Sequence, residues 1–213
     1  MRKLLLGVVF VTLIASCGKS PEEKANALIK DDIKKVLYHP ETYHPAETQV
    51  DSAFTPFDDP VFYEKTVQLC KLDMSINEYD RKMKRAKSSM AIWGGPYQSA
   101  FEAFDRNQYQ EAKEEYDENA RNKESAEIKT QKLVKELEVM LDKKPQFIGF
   151  RVRHIYRADT NDGTTLIGEM EYLFDKDLSK IVARYDMEGD EFKTVQNAYK
   201  QMLIRYGVVR RGL

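Results

Sequence analysis

The chain has 213 residues, 34 of them basic and 35 acidic, for a formal charge of −1 near neutral pH. With 42% hydrophobic residues it has ample material for a core, and its two cysteines are too few for a disulfide framework or a paired-cysteine metal site. The balanced charge argues against a nucleic-acid partner, which calls for a strongly basic surface.

Arg2 and Lys3 precede an apolar run from Leu4 to Ile14, the length of a secretory signal core and too short to span a bilayer. The segment Leu13-Ile14-Ala15-Ser16-Cys17 places an aliphatic residue and two small ones before a cysteine, and resembles the lipobox of bacterial lipoproteins. That resemblance implies removal of residues 1–16 and a diacylglycerol thioether on Cys17, which becomes the mature N-terminus. The covalent lipid is then the only cofactor expected, and acyl chains anchor the protein to a membrane without a transmembrane helix. Loss of Arg2 and Lys3 leaves 32 basic and 35 acidic residues, a formal charge of −3. The remaining thiol, Cys70, sits in an apolar helical stretch where burial is expected.

Ser20-Pro21-Glu22-Glu23 reads as a helix start, with serine as N-cap, proline in the first turn and glutamate closing a capping box. The helix is predicted to run to about Tyr38, with Ala25, Leu28, Ile29, Ile33, Val36 and Leu37 on its apolar face. Prolines 40, 45, 56 and 60 predict an extended connection, with one edge strand around Gln49 to Phe54. Then Leu69, Leu72, Ile76, Tyr79, Met83, Ala86, Met90 and Trp93 follow alternating steps of three and four, the seam of a coiled coil. Gly94-Gly95-Pro96 stops it, and a second helix is expected from about Tyr97 to Asp142. Its stripe uses Tyr97, Phe101, Phe104, Ile128, Leu133, Leu137 and Leu141 but lapses at Gln108. Two such helices joined by a short breaker predict an antiparallel hairpin, about 50 Å long at 1.5 Å per residue.

After Pro145 the hydrophobic period changes to two. Ile148, Phe150, Val152, His154 and Tyr156 alternate with Arg151, Arg153 and Arg157, while Leu166, Gly168, Met170, Tyr172 and Phe174 alternate with Glu169 and Glu171. A three-residue loop Asn161-Asp162-Gly163, with Gly163 in the left-handed region, pairs Thr160 with Thr164, Val152 with Tyr172 and Arg153 with Glu171. A third strand is expected over Lys180 to Met187, then a helix capped by Asp190 that buries Phe192, Val195, Tyr199, Met202 and Tyr206 and stops at Gly207. The expected fold is α+β, with a three- to four-stranded antiparallel sheet between an N-terminal and a C-terminal helix and a long inserted helical hairpin. Residues 1–16 are the signal, 17–57 and 143–213 the α+β domain, and 58–142 the hairpin. Helices are expected on one sheet face, leaving the Arg/Glu face wet.

Candidate chemistry is sparse. His39, Glu41 and His44 bring two imidazoles and a carboxylate into one proline-stiffened loop, the one place where zinc ligands gather, although the spacing matches no established metal motif. A metal-dependent hydrolase with a site there is one reading, and a carbohydrate-binding protein with Tyr38, Tyr43 and Tyr97 as aromatic platforms is another. No nucleophile elbow, phosphate loop or dinucleotide glycine run is present, so the reading leans away from an enzyme. His154, on the apolar strand face, is expected to be a satisfied core histidine. The hairpin tip, with Met90, Ile92, Trp93 and Tyr97, gathers the single tryptophan and large apolar residues far from the sheet, as a partner-binding surface would.

The lipobox, Val36-Leu37-Tyr38-His39-Pro40-Glu41-Thr42-Tyr43 and Tyr156-Arg157-Ala158 with Gly163 are similar to small, functionally uncharacterised lipoproteins of Bacteroides-type bacteria. The resemblance implies a lipid-anchored envelope location and brings no activity. Gly18-Lys19 does not look like an inner-membrane retention signal, so the outer membrane is expected, with its face open. The reading is a non-enzymatic binding or assembly module with a protein partner in the envelope.

Overall fold

In the computed structural model, residues 19–95 and 102–206 are described. The chain is α+β. Helix α1 spans Pro21–Ile33, a short 3-10 turn Pro40–Thr42 leads into strand β1 (His44–Phe54), and the long helices α2 (Pro60–Trp93) and α3 (Glu102–Leu141) follow. Strands β2 (Phe147–Asp159), β3 (Thr165–Phe174) and β4 (Ile181–Asp186) and helix α4 (Asp190–Tyr206) complete it. The sheet is an antiparallel meander in the order β1-β2-β3-β4, with the two long helices inserted between β1 and β2.

The start of α1 follows its sequence signal: Ser20 Oγ accepts from Glu23 N–H and the Glu23 carboxylate accepts from Ser20 N–H. Its end does not. The helix stops at Ile33 and unwinds through a turn, leaving Val36 and Tyr38 exposed. The β2–β3 register is the predicted one, with Val152 opposite Tyr172 and Arg153 opposite Glu171. Thr160 N–H donates to the Thr164 carbonyl, and Gly163 has φ +81°, the left-handed geometry the loop demands. β1 is longer than expected, 11 residues from His44, with Pro45 on the edge strand and a register irregularity just after it that leaves Ala46 out of the pairing. Asp190 is the first helical residue of α4 rather than its cap, since Lys193 N–H bonds the Gly189 carbonyl. Gly207 lies outside the described residues.

Alternation along the strands creates two cores rather than one. On the first face, Val152, Tyr156, Tyr172 and Phe174 bury against Ala25, Ile29 and Ile33 of α1. On the second, Tyr185 of β4 stacks on Tyr63 of α2, and Phe57, Phe62, Val67, Leu137, Phe192, Val195 and Tyr199 form a separate cluster. The Arg/Glu face is therefore not left wet throughout: the foot of the hairpin and α4 cover its β3–β4 half. Exposed Glu47, Gln49, Asp51 and Arg153 keep the β1–β2 half in solvent. The sequence pattern hid this because Leu173 and Tyr185, the large apolar strand residues under the cover, are set among the charged Arg151 and Glu171.

Candidate partner-binding surface

Asp59 caps α2 through Val61 N–H, and Pro60 occupies the first helical position. From there α2 climbs the second face. Asp58 pairs with Arg151 at 3.3 Å, Tyr63 meets Tyr185 one pair of residues further along the strands, and Lys71 pairs with Glu191 at 2.9 Å beside the start of α4. Among the described residues the Lys71–Glu191 pair is the outermost ion pair between the hairpin and the body, and about 22 residues of α2, or 33 Å of helix, lie beyond it. Lys65 pairs with Glu136, Asp80 with Lys123 at 2.7 Å, and the Tyr109 ring closes on Gly94, so the two helices run antiparallel to the end of α2.

The α2 seam predicted from sequence is half-buried or buried at every position from Leu69 to Trp93. The α3 seam does not lapse at Gln108. It continues through Tyr109, Ala112, Tyr116, Asn119, Lys123, Ala126, Thr130, Leu133 and Leu137, in the same alternating steps. Small and polar side chains occupy it, which is why a count of apolar residues lost the stripe. Asn119 is buried and donates to the Glu115 carbonyl, and Lys123 escapes by pairing with Asp80. Ile128, expected on the stripe, instead faces solvent at 60% exposure, two residues off the seam.

At the distal end, Met90 and Trp93 are half-buried, and the Trp93 ring meets Phe104 edge to face at 5.8 Å. Ile92 is 69% exposed and Phe104 54% exposed. Trp93 is thus partly used for closing the helices on one another, and Ile92 and Phe104 provide the free apolar surface. Sequence reasoning placed Phe104 on the buried stripe and did not count it as a surface residue. Tyr97 and Phe101 lie outside the described residues, as does Cys17.

The histidine loop does not converge. His39 Nδ1 lies 3.3 Å from Glu41 Oε1, both partly or fully exposed, while His44 opens β1 opposite Arg157 and points into solvent. Among the described residues no three His, Cys, Asp or Glu side chains are grouped to hold a metal ion. Tyr43 is buried, so it offers no sugar platform, whereas Tyr38 is exposed.

What the loop does is seat His154. This residue is fully buried, with Tyr43 Oη 2.9 Å from Nε2 and Thr48 Oγ1 2.9 Å from Nδ1. Thr48 gives its single hydroxyl proton to Asn26 Oδ1 at 2.6 Å, so its oxygen accepts from Nδ1–H, which leaves Nε2 to accept from the Tyr43 hydroxyl. The chain Tyr43, His154, Thr48, Asn26 therefore suits the neutral imidazole, and burial pushes the His154 pKa down to about 4. Burial also pushes the Tyr43 phenol up to about 12, keeping it a donor. This network ties α1, the end of the 3-10 turn and two strands together around a fully buried imidazole.

On the opposite face, Arg151 sits between Asp58 at 3.3 Å and Glu171 at 3.9 Å. The adjoining cavity, lined in part by Tyr63, Tyr185 and Gln196, has about 10 Å³, room for one water molecule. Cys70 is half-buried on α2, and burial raises its pKa, which favours the unreactive thiol. No helix among the described residues is long and apolar enough to cross a membrane.

Comparison with known proteins adds no relatives: no protein family, no curated protein and no solved structure matches the chain.

Proposed function

We propose that this protein is a lipid-anchored component of the bacterial envelope that binds or assembles with a protein partner through its helical hairpin. The observation that carries the reading is that, among the described residues, the outermost ion pair between hairpin and body is at Lys71, while Ile92 and Phe104, far along the helices beside Trp93, are exposed. A rod that only propped other parts of the chain would end against them, and large apolar side chains at a free end gain most when a partner removes them from water.

The anchor in this reading is Cys17, at the outer membrane. Only Gly18 and Lys19 separate it from the capped start of α1, a span of roughly 10 Å at full extension. The body then stands close to the lipid surface, and the hairpin supplies the reach. Crosslinking capture from intact cells tests the reading by comparing wild type with a variant in which residues 73–131 are replaced by a short Gly/Ser loop. That replacement leaves Val67, Leu72, Leu133 and Leu137 to complete the foot. A protein crosslinked by wild type and lost from the variant is the expected result; identical capture by both, or none by either, would sink the reading. Labelled fatty acid should enter the wild type and not Cys17→Ala, and label in neither would remove the anchor.

A further inference from the structure

At the end of the sheet where β1 runs out and β2 begins, three phenylalanines gather on the first face. Phe150 lies between Ser52 and Phe174 in the register and packs, half-buried, against the core under α1. Phe147 meets it edge to face at 5.5 Å, and Phe54, opposite Phe147 in the pairing, meets that second ring at 5.9 Å. Phe54 is 44% exposed and Phe147 36%. Rings that stack on one another while facing water form a contiguous apolar patch, the kind of surface that gains when something removes it from solvent.

The rim of this patch is basic. Lys143 and Lys144, exposed in the connection that leads into Phe147, make no ion pair with another described residue and stand beside Asp142. The acids that follow Phe54 are engaged: Asp58 accepts from Phe54 N–H and pairs with Arg151, and Asp59 caps α2. In the turn after Phe174, Lys176 and Lys180 stand beside Asp177, while the Asp175 carboxylate is taken up by Ser179 and by Lys180 N–H.

The occupant follows from the anchor. α1 crosses the same sheet face, and its Asn26 meets Thr48 of β1, six residues or about 20 Å along that strand from Phe54. β1 is the edge strand, so no other strand stands between the start of α1 and the patch. With Cys17 lipidated, the start of α1 is held within roughly 10 Å of the lipid surface. The hairpin foot and α4 pack on the opposite face.

We propose that Phe54, Phe147 and Phe150 are a second membrane contact, entering the boundary between headgroups and acyl chains while Lys143 and Lys144 meet anionic headgroup phosphates. This rests on the reading of Cys17 as the anchor and deepens it. A lipid on Cys17 alone leaves the body free to swivel, whereas a second contact fixes which sheet face turns to the membrane and leaves the hairpin face turned away.

Trp93, the single tryptophan, lies far along the hairpin, so a tryptophan moved to the patch reports on it alone. The probe is the lipidated full chain in vesicles of phosphatidylglycerol and acyl-brominated phosphatidylcholine, bromine being a contact quencher. With the rings seated roughly 5–10 Å into the boundary, Trp93→Phe with Phe147→Trp should lose more than about twofold in emission relative to unbrominated vesicles. Wild-type Trp93 should lose none. Phe54→Trp in the same Trp93→Phe background reports independently should the first substitution disturb the fold. Lys143→Glu with Lys144→Glu should lower the quenching, and indifference to that change would take the lysines out of the contact. If both probes float with the vesicles and neither is quenched, the proposal is overturned while the anchor stands, and the patch is left to a protein. Quenching of wild-type Trp93 also overturns it, since the hairpin would then lie on the membrane. If the wild type itself fails to float, the anchor falls and this contact with it.

Discussion

The body and the projecting hairpin solve the same problem, that of holding two elements together, with opposite materials. The body uses large side chains in unique places: Tyr172, Tyr199, Phe62 and Phe174 are its biggest fully buried residues, and aromatic contacts such as Phe57 with Tyr199 and Tyr63 with Tyr185 fix how its layers meet. The distal hairpin repeats a thin seam in which Ala86, Ala112 and Ala126 are the most buried apolar residues and Asn119 sits among them. Apolar area removed from water stabilises in proportion to its extent, so the body is where stability resides and the distal hairpin is where the chain opens first. Hydrogen exchange should therefore show amides of α2 beyond Lys71 exchanging ahead of those in β2 and β3; equal protection would break the contrast.

The largest expected effect tests the joint between the regions. Phe62→Ala removes a fully buried ring from the second core and should cost about 3–5 kcal/mol in denaturant unfolding. A loss below about 1 kcal/mol would mean that the hairpin foot is not packed on the sheet as described.

The second effect belongs to the first core. His154 titrates near 4 when folded against about 6.5 when unfolded, so the unfolded chain binds more protons throughout that window. Stability is full above pH 6.5, falls as the pH drops from 6.5 toward 4, and levels off below, for a total of up to about 3 kcal/mol. His154→Gln should flatten that part of the pH profile, and an unchanged slope would assign it to other groups.

A smaller change is expected inside the rod. Asn119→Leu should raise the hairpin's stability by about 1 kcal/mol while relaxing its register, because a buried polar residue in a coiled-coil seam specifies alignment at a cost in stability. Lower stability would mean that the Asn119 bond to Glu115 matters more than its burial. The smallest effect is at the tip. Ile92→Ser should change stability by less than about 0.5 kcal/mol yet reduce partner crosslinking, and a large drop in melting temperature would show Ile92 to be part of the packing.

Local chemistry was legible along the chain wherever it is self-sufficient. Ser20 and Glu23 cap α1 without outside help, Gly163 alone can take the turn between β2 and β3, and period-two alternation from that turn fixes Val152 against Tyr172. The regular steps of the α2 seam were readable for the same reason: one helix face repeats itself. Three features needed the folded chain. The α3 seam passes through Asn119, Lys123 and Thr130, polar residues that face α2 only once the hairpin closes, where Asn119 bonds the Glu115 carbonyl and Lys123 pairs with Asp80. The covering of the second sheet face depends on α2 and α4 arriving together over Leu173 and Tyr185, two residues with no signal of their own. And the role of the Tyr43–His154 pair, 111 residues apart, exists only once β1 is laid beside β2. Sequence determined the elements and the pairing of neighbours, since those rest on backbone preferences and short-range spacing. Tertiary structure decided which faces are covered and which charges remain free, since burial belongs to pairs of surfaces and not to either one alone.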